Sequence, residues 1–545
     1  MTISSFEAGI TLSEIDVLTQ RQTEVLGYVS KGFTNAEIGE LIGLSPGTIK
    51  VHISAIIERL DVTNRTEATA LWLRDTLETH LQSASEPADT GPIFAFDVQE
   101  ANDSDLGGML VSAACEIITK RTFRTIDLPT TKTARSADLQ RPLLQEKLGI
   151  SHWVSIDLIP SDETLSLCLT CTDVAEEQLV FERQYQGTVD DLLRIGTEIG
   201  IDLVAMVDRA PLRQDAAAFI DQPVSDHIWR GSYLFDKRTP EGLQQAMGLF
   251  TDAIKADPTS VEAHVGLANA SNQMAVYMPG IATHLQQSGK AAAQSAVELD
   301  PFSGAAHGAL GYAQLFGDWD FAQAERSLER AISMDPSRED GYVWASLLHL
   351  FMGRHEMAQD VGQQGMRLNP IAIANFVHLG HVFRDTGQLD RAIDHLSAAL
   401  DMEPGNLRAT IWMALCQADV GNLDAAAVYI GRAVKAHPIS AVFVGIAGYV
   451  AGLAGKTEVA YGHLKTLEGM RKAPVHSPLF ESMVHIAVGD FDTAIETAQA
   501  GLSQRVPLFL GWCCDPMFLR LKGHSKYGDV AKAIGVPHDH LTTPI

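Results

Sequence analysis

The spacing of hydrophobic residues divides the chain into three regimes. From about 12 to 80, apolar positions recur every three to four residues, the period of helices that bury one face. Polar residues between them mark the helix starts. Thr19 with Gln22 and Thr34 with Glu37 have capping-box spacing, Ser45 precedes Pro46 as an N-cap precedes a first-turn proline, and Asn64 stands three before Glu67. Gly32 and Gly43 supply stops. Four helices result, the second and third joined only by Gly43-Leu44-Ser45. From 93 to 212 the pattern changes to short apolar runs and alternation. It reads as strand 93–98, helix 106–120, strand 124–128, helix 137–148, strands near 152–159, 164–172 and 178–186, then a helix from 189 to about 209. That order, β-α-β-α-β-β-β-α, is an α/β layer. From 226 to 505 the helical period returns, punctuated by Pro258, Pro301, Pro336, Pro370, Pro404 and Pro438 at intervals of 43, 35, 34, 34 and 34 residues.

A 34-residue period of paired helices is a solenoid in which each unit buries its apolar side against the next. Units are expected to start near 227, 270, 305, 339, 373, 407, 441 and 475, about eight helix pairs, with some nine extra residues around Tyr277-Met-Pro-Gly280. The unit from 373 carries the full pattern: Leu379, Gly380, Phe383, Gly387, Ala392, Leu396, Ala399 and Pro404. These residues resemble the tetratricopeptide repeat. The resemblance implies a concave groove for a protein or peptide segment; an acidic chain favours a basic or mixed-charge one. The alternative is a scaffold whose repeats serve only dimerisation. The segment Asp515-Pro-Met-Phe-Leu-Arg-Leu521 resembles the closing motif of such regulators, so 506–545 is expected to be a tail that seals the last repeat.

Helix three of the first regime sorts its own faces. Ile49, Ile53, Ile56 and Leu60 form an inward stripe, leaving Thr48, Lys50, Val51, Ser54 and Glu58 opposite. A helix in the major groove reads bases with its amino-terminal residues, here Lys50, Val51 and Ser54. Val51 suits a thymine methyl, Lys50 a guanine edge, and Thr48 a phosphate. The run Leu18 to Leu26, Gly32-Phe-Thr-Asn-Ala-Glu-Ile38, Ser45-Pro-Gly-Thr-Ile-Lys-Val-His-Ile53 and Asn64-Arg-Thr-Glu-Ala68 resembles the LuxR-type helix-turn-helix over about 55 residues. The resemblance implies base contacts at Lys50 and Val51 and phosphate contacts at Asn35 and Thr48, on double-stranded DNA. The chain departs from the family in two ways: Gln22 stands where an acid is usual, and Ser54 and Glu58 where a basic residue is common. Residues 18–74 hold six basic and six acidic side chains. A neutral module holds phosphates weakly, which favours a homodimer, with Leu71, Trp72, Leu77 and Leu81 of helix four as its face.

The polar, proline-containing run 82–92 reads as a flexible linker that leaves the DNA module (12–80) independent of the α/β domain (93–212) and the repeats. Asp97 and Asp127-Leu-Pro129 imitate a phosphorylatable receiver, but the first strand lacks a second acid and three consecutive strands break the alternation. The order is similar to the amino-terminal domain of TolB, which implies no reaction. Composition narrows the field further. A net charge of -27 excludes general affinity for nucleic acid or membranes. Six cysteines make no disulfide scaffold and suggest a reducing, cytoplasmic setting, and the apolar run 441–455 is too short to span a bilayer. Cys168 and Cys171 lie three apart on a strand and point to opposite faces, a poor metal pair. His264, His307, His378 and His381 fall at repeat positions that read as packing. No phosphate loop, nucleophile elbow or metal-ligand spacing is present, so no enzyme and no cofactor is expected. The fold class is multidomain and mainly α: a four-helix helix-turn-helix domain, a small α/β domain and an α-solenoid. The function read from it is a one-component transcriptional regulator that binds DNA and senses a protein or peptide. The alternative is a repeat scaffold or adaptor whose helix-turn-helix serves protein contacts.

Overall fold

A computed structural model describes residues 14–83, 92–100, 106–119, 124–126, 141–160, 165–188, 191–207, 223–236, 239–370 and 372–536. The expected turn at 127–129 and most of the linker at 82–92 lie outside them.

The four amino-terminal helices are α1 (Gln20–Ser30), α2 (Asn35–Ile42), α3 (Pro46–Arg59) and α4 (Arg65–Ser83). Both capping boxes form, Ser45 caps α3 ahead of Pro46, and Asn64 accepts from the Glu67 N–H. Gly43 ends α2 at φ 70°, the left-handed turn that a residue without Cβ adopts at least cost. The middle domain keeps the expected order: β1 (Ile93–Glu100), α5 (Leu106–Thr119), β2 (Arg124–Ile126), α6 (Arg141–Leu148), β3 (His152–Pro160), β4 (Leu165–Asp173), β5 (Gln178–Gly187) and α7 (Leu192–Val207). The sheet runs β2-β1-β3-β4-β5, parallel in its first three strands and antiparallel after. Residues of α5 and α7 cover one side of it. The other side takes Leu144 and Leu148 of α6 together with Leu73 and Leu77 of α4. Cys171 is buried in β4, and burial pushes its thiol up to about 12, so it stays protonated at neutral pH.

Eight helix pairs follow among the described residues: α8 and α9 (Pro223–Asp236, Pro240–Ala256), α10 and α11 (Val261–Tyr277, Ala282–Leu299), α12 and α13 (Gly304–Tyr312, Phe321–Met334), α14 and α15 (Glu339–Phe351, His355–Leu368), α16 and α17 (Ile373–Asp385, Leu389–Met402), α18 and α19 (Leu407–Asp419, Leu423–Ala436), α20 and α21 (Ala441–Leu453, Thr457–Gly469), and α22 and α23 (Pro478–Val488, Phe491–Gly501). The second pair starts at Val261, not near 270. Its additional residues lengthen α10 and α11 and form the turn Pro279–Ile281 rather than a separate insertion. Repeat geometry is periodic down to single backbone angles. Gly353, Gly387, Gly421, Gly455 and Gly489 all sit at φ of 69–83°, one per unit, and Trp319 occupies the same register at φ 58° after a π-turn. Asp-Pro turns are tied down by the residue six after the carbonyl, as His264 bonds the Pro258 oxygen, His307 the Pro301 oxygen and Tyr342 the Pro336 oxygen. His378 is buried against Ser346, and burial drops its pKa to about 3.

Two features differ from expectation. The tail does not merely seal the last repeat. After the turn Pro507–Cys513 it runs through α24 (Pro516–Leu519) to α25 (Tyr527–Ile534), and its side chains reach residues of much earlier pairs. Phe509 meets Trp319 edge-on at 5.9 Å, and Asp515 bonds Arg384 at 3.0 Å. Arg384 is wholly buried and also holds Asp385 (2.9 Å) and Asp419 (2.7 Å). The positions beside Trp319 and Arg384 are therefore taken by the chain itself. The array also meets itself, with the Gly280 N–H donating to the Pro474 oxygen at 2.7 Å and the Gln286 amide to the Arg505 oxygen.

The second difference concerns independence. The core of α1–α3 (Val25, Leu26, Phe33, Ile38, Ile49, Ile56) is continuous with the core of the later repeats and the tail. The module is docked against the array rather than held only by a tether.

Candidate nucleic-acid interface

The position of α3 follows from its stripe. Ile49 and Ile56 are buried, Ile53 and Leu60 half-buried, and Thr48, Lys50, Val51 and Ser54 are all exposed. Val51 is 68% exposed, an isolated aliphatic side chain on an otherwise polar ridge. Thr48 and Ser45 bond each other at 2.8 Å, and the Thr48 N–H donates to the Ser45 oxygen at 3.1 Å, so the first turn of α3 is rigid. Asn35 opens α2, half-buried, with its amide oxygen 3.4 Å from the Arg65 guanidinium. Arg65 also bonds the Phe33 carbonyl. The four α3 residues thus share one exposed side, while Asn35 is held by α4 and not by α3.

The departure at Gln22 has a local explanation. Its side-chain oxygen accepts from Arg59 at 2.7 Å and from the Thr19 N–H at 3.0 Å, so a neutral amide serves both the cap of α1 and the end of α3. Burial pushes the Glu37 carboxyl up, but hydrogen bonds from Thr34 and the nearby Arg432 and Lys435 outweigh this and hold it below its ordinary value. An open cleft of about 550 Å³ between α2 and the array is lined by Glu37, Glu40 and Asp424 against Arg432, Lys435 and Lys456. Equal numbers of each sign give it no net pull on phosphate.

The reading of the sequence missed the contact behind this interface. Asp401 of α17, nearly buried, accepts from the Ser30 hydroxyl at 2.6 Å and the Trp72 indole N–H at 2.9 Å, and pairs with Lys31 at 3.1 Å. Phe33 stands edge-on to Tyr429 of α19 at 5.1 Å with the Arg432 guanidinium 4.4 Å from its ring. Half of the proposed dimer face is consumed here: Trp72 is bonded to Asp401, and Leu77 is buried against the middle domain. The Leu81 side chain lies outside the described residues.

Two stretches of the chain match known families. Residues 16–72 match the family model described as Bacterial regulatory proteins, luxR family, and residues 383–441 match Tetratricopeptide repeat. The Putative HTH-type transcriptional regulator YhjB of Escherichia coli (strain K12) is 37% identical over 60 residues, covering 11% of this chain and 30% of that protein. Transcriptional regulatory protein LiaR of Bacillus subtilis (strain 168) is 42% identical over 60 residues, 11% of this chain and 28% of that one. The chain thus spans less than a third of the length of these curated relatives. Among solved structures, the thermophilic TPR protein TTC0263 of Thermus thermophilus is 18% identical and aligns with 36% of this chain and 99% of its own, at a TM-score of 0.32. No helix among the described residues is long and apolar enough to cross a membrane. The chain carries a LuxR-type helix-turn-helix at its amino terminus and tetratricopeptide repeats in its carboxy-terminal half.

Proposed function

We propose that this protein is a transcriptional regulator that binds double-stranded DNA through α3, with Lys50, Val51 and Ser54 at base edges and Asn35 and Thr48 at phosphates. One observation carries the reading: the module docks through α1 and α4 and leaves the amino-terminal half of α3 exposed on its polar side. The names of the relatives matched over 16–72 support the same role. Selection of bound sequences from a random duplex library, followed by anisotropy titration of the selected site, tests it. A selected consensus that Lys50→Ala and Val51→Ala no longer bind is the expected result; no enrichment over input would count against DNA recognition.

A protein or peptide partner of the repeats belongs to the same proposal, restrained by the tail. A foreign segment that uses the stretch between Trp319 and Arg384 displaces residues 507–521 to do so. Homodimerisation through α4 is restrained in the same way, because Trp72 and Leu77 are already engaged within one chain. The second reading, a repeat scaffold whose helix-turn-helix serves protein contacts, draws support from the Asp401 contact and the neutral module. The library selection separates the two. The α/β order of the middle domain supports the proposed likeness to the TolB amino-terminal domain and adds no activity.

A further inference from the structure

The repeat register gives the Asp401 contact a meaning that the contact alone lacks. In the second helix of successive units, the positions equivalent to 398 and 401 are Arg330 and Ser333, Gln364 and Arg367, then Arg432 and Lys435. All of these face solvent wholly or partly. The second pair also has a small residue and a carboxylate there, Ser295 and Glu298, but they face solvent partly or wholly; in α17 Ala398 and Asp401 are both buried. The replacement fits its cover. Ala398 leaves room for a neighbour, and a carboxylate in place of a cation meets three donors from the module, two on α1 and its end and one on α4. The buried charge is therefore paired and hydrogen-bonded, the condition under which burial is tolerated. Next to it, Gly32 at φ 73° brings the backbone so close that a Cβ there would stand 3.3 Å from Pro404, and Arg432 donates to the Lys31 carbonyl at 3.1 Å.

We propose that α17 and α19 form a dedicated docking platform for the helix-turn-helix, latched by Asp401, and that this latch restrains how freely the module engages a duplex. The array meets the module by direct contact, so any change in the packing of α17 against its neighbours is transmitted to α1 and α4 without passing through residues 84–91. The electrostatics set the sign. The segment 18–74 is neutral while the chain carries -27, so a docked module keeps a duplex near acidic repeats and a released one can hold it further away.

The latch is tested on the full chain by hydrogen exchange resolved to peptides. Loss of a hydrogen bond to a charged group weakens docking by about tenfold or more. Asp401→Asn and the charge-neutral pair Ser30→Ala/Trp72→Phe are therefore expected to speed exchange in 20–31 and 65–79 at least that much, with 441–501 unchanged. Lys31→Met should do the same to a smaller degree, because it leaves the Asp401 carboxylate with two donors instead of three. Wild-type exchange in all these variants overturns the latch. Anisotropy with a random-sequence duplex at low salt then reads the restraint: Ser30→Ala/Trp72→Phe should bind several-fold more tightly than wild type, the gain shrinking as salt rises. Equal affinity despite faster exchange overturns the restraint on duplex engagement. The proposal is separable from the DNA-binding reading, because failure of every form to bind duplex would refute that reading while leaving the exchange results to decide the latch.

Discussion

Replacing Arg384 with Met should loosen the tail before it unfolds the array. Arg384 is wholly buried, and each of its three side-chain nitrogens donates to a carboxylate: Nε to Asp419 at 2.7 Å, Nη1 to Asp385 at 2.9 Å, Nη2 to Asp515 at 3.0 Å. Burial pulls the guanidinium pKa down, but the three carboxylates overcome this and raise it. Methionine fills similar volume yet leaves three buried carboxylates without the cation they share. Breaking a buried pair costs about 3–5 kcal/mol. A ceiling comes from the alternative of protonating a carboxylate: from a pKa of 3.8, neutralising one at pH 7 costs about 4 kcal/mol and at pH 5 about 2 kcal/mol. The two estimates agree at pH 7 and predict a deficit that narrows by about 1.4 kcal/mol for each unit of acidification in that range. Urea unfolding at pH 7 and pH 5 reads the deficit, and alkylation of Cys514 reads the site. Cys514 is buried, 3.8 Å from Asp385, and burial raises its thiol pKa well above the ordinary value, so it should be inert in wild type. In Arg384→Met it should react in the native baseline, while Cys416, buried within α18, stays protected. A wild-type midpoint together with a protected Cys514 would refute the idea that this arginine clamps the tail.

Lys50→Ala and Val51→Ala should each weaken binding to a selected site by about 1–3 kcal/mol with an unchanged melting transition, since neither touches the core; equal affinity would remove them from the interface. His378 has a folded pKa of about 3 against an ordinary 6.5, so the unfolded chain binds the extra proton. Its neutral burial costs nothing above pH 6.5, and stability is lost as pH falls from 6.5 towards 3, by about 1.4 kcal/mol per unit once well below 6.5. Comparing His378→Asn with wild type by urea titration at pH 7.5 and 5.5 should show a flatter dependence in the variant, and parallel curves would exclude the histidine. Gly421→Ala, at φ 82° with open space around the new methyl, should cost about 1–2 kcal/mol from the left-handed backbone alone. Trp319→Gly relaxes a similar strain but removes a ring packed on Phe509, and should be destabilising by about 2 kcal/mol or more net. A stabilised Trp319→Gly would show that the ring contributes little to holding the tail.

Much of this architecture was written locally. Thr19 with Gln22, Thr34 with Glu37 and Ser45 before Pro46 each fix a helix start within four residues, and the stripe Ile49, Ile53, Ile56 decides which side of α3 faces outward. The 34-residue period likewise carries its own turn, because in the last five units a glycine takes the left-handed angle at the end of the first helix. Such features depend on residues a few positions apart, so one sequence suffices to read them. What joins distant parts was not legible in that way. Nothing near Asp515 announces that its partner is Arg384, 131 residues earlier, and nothing near Lys31 points to Asp401. The sole trace was an alanine and a carboxylate in α17 where the units on either side have Gln364 and Arg367, then Arg432 and Lys435, and it does not say what covers them. Superhelical curvature, summed over many small rotations between helix pairs, brings 280 to 474 and 319 to 509. Tertiary structure therefore decided that the tail packs back on Trp319 and Arg384 and that the helix-turn-helix module is docked. Both outcomes rest on burying charges that are costly alone and stable only when folding delivers their partners.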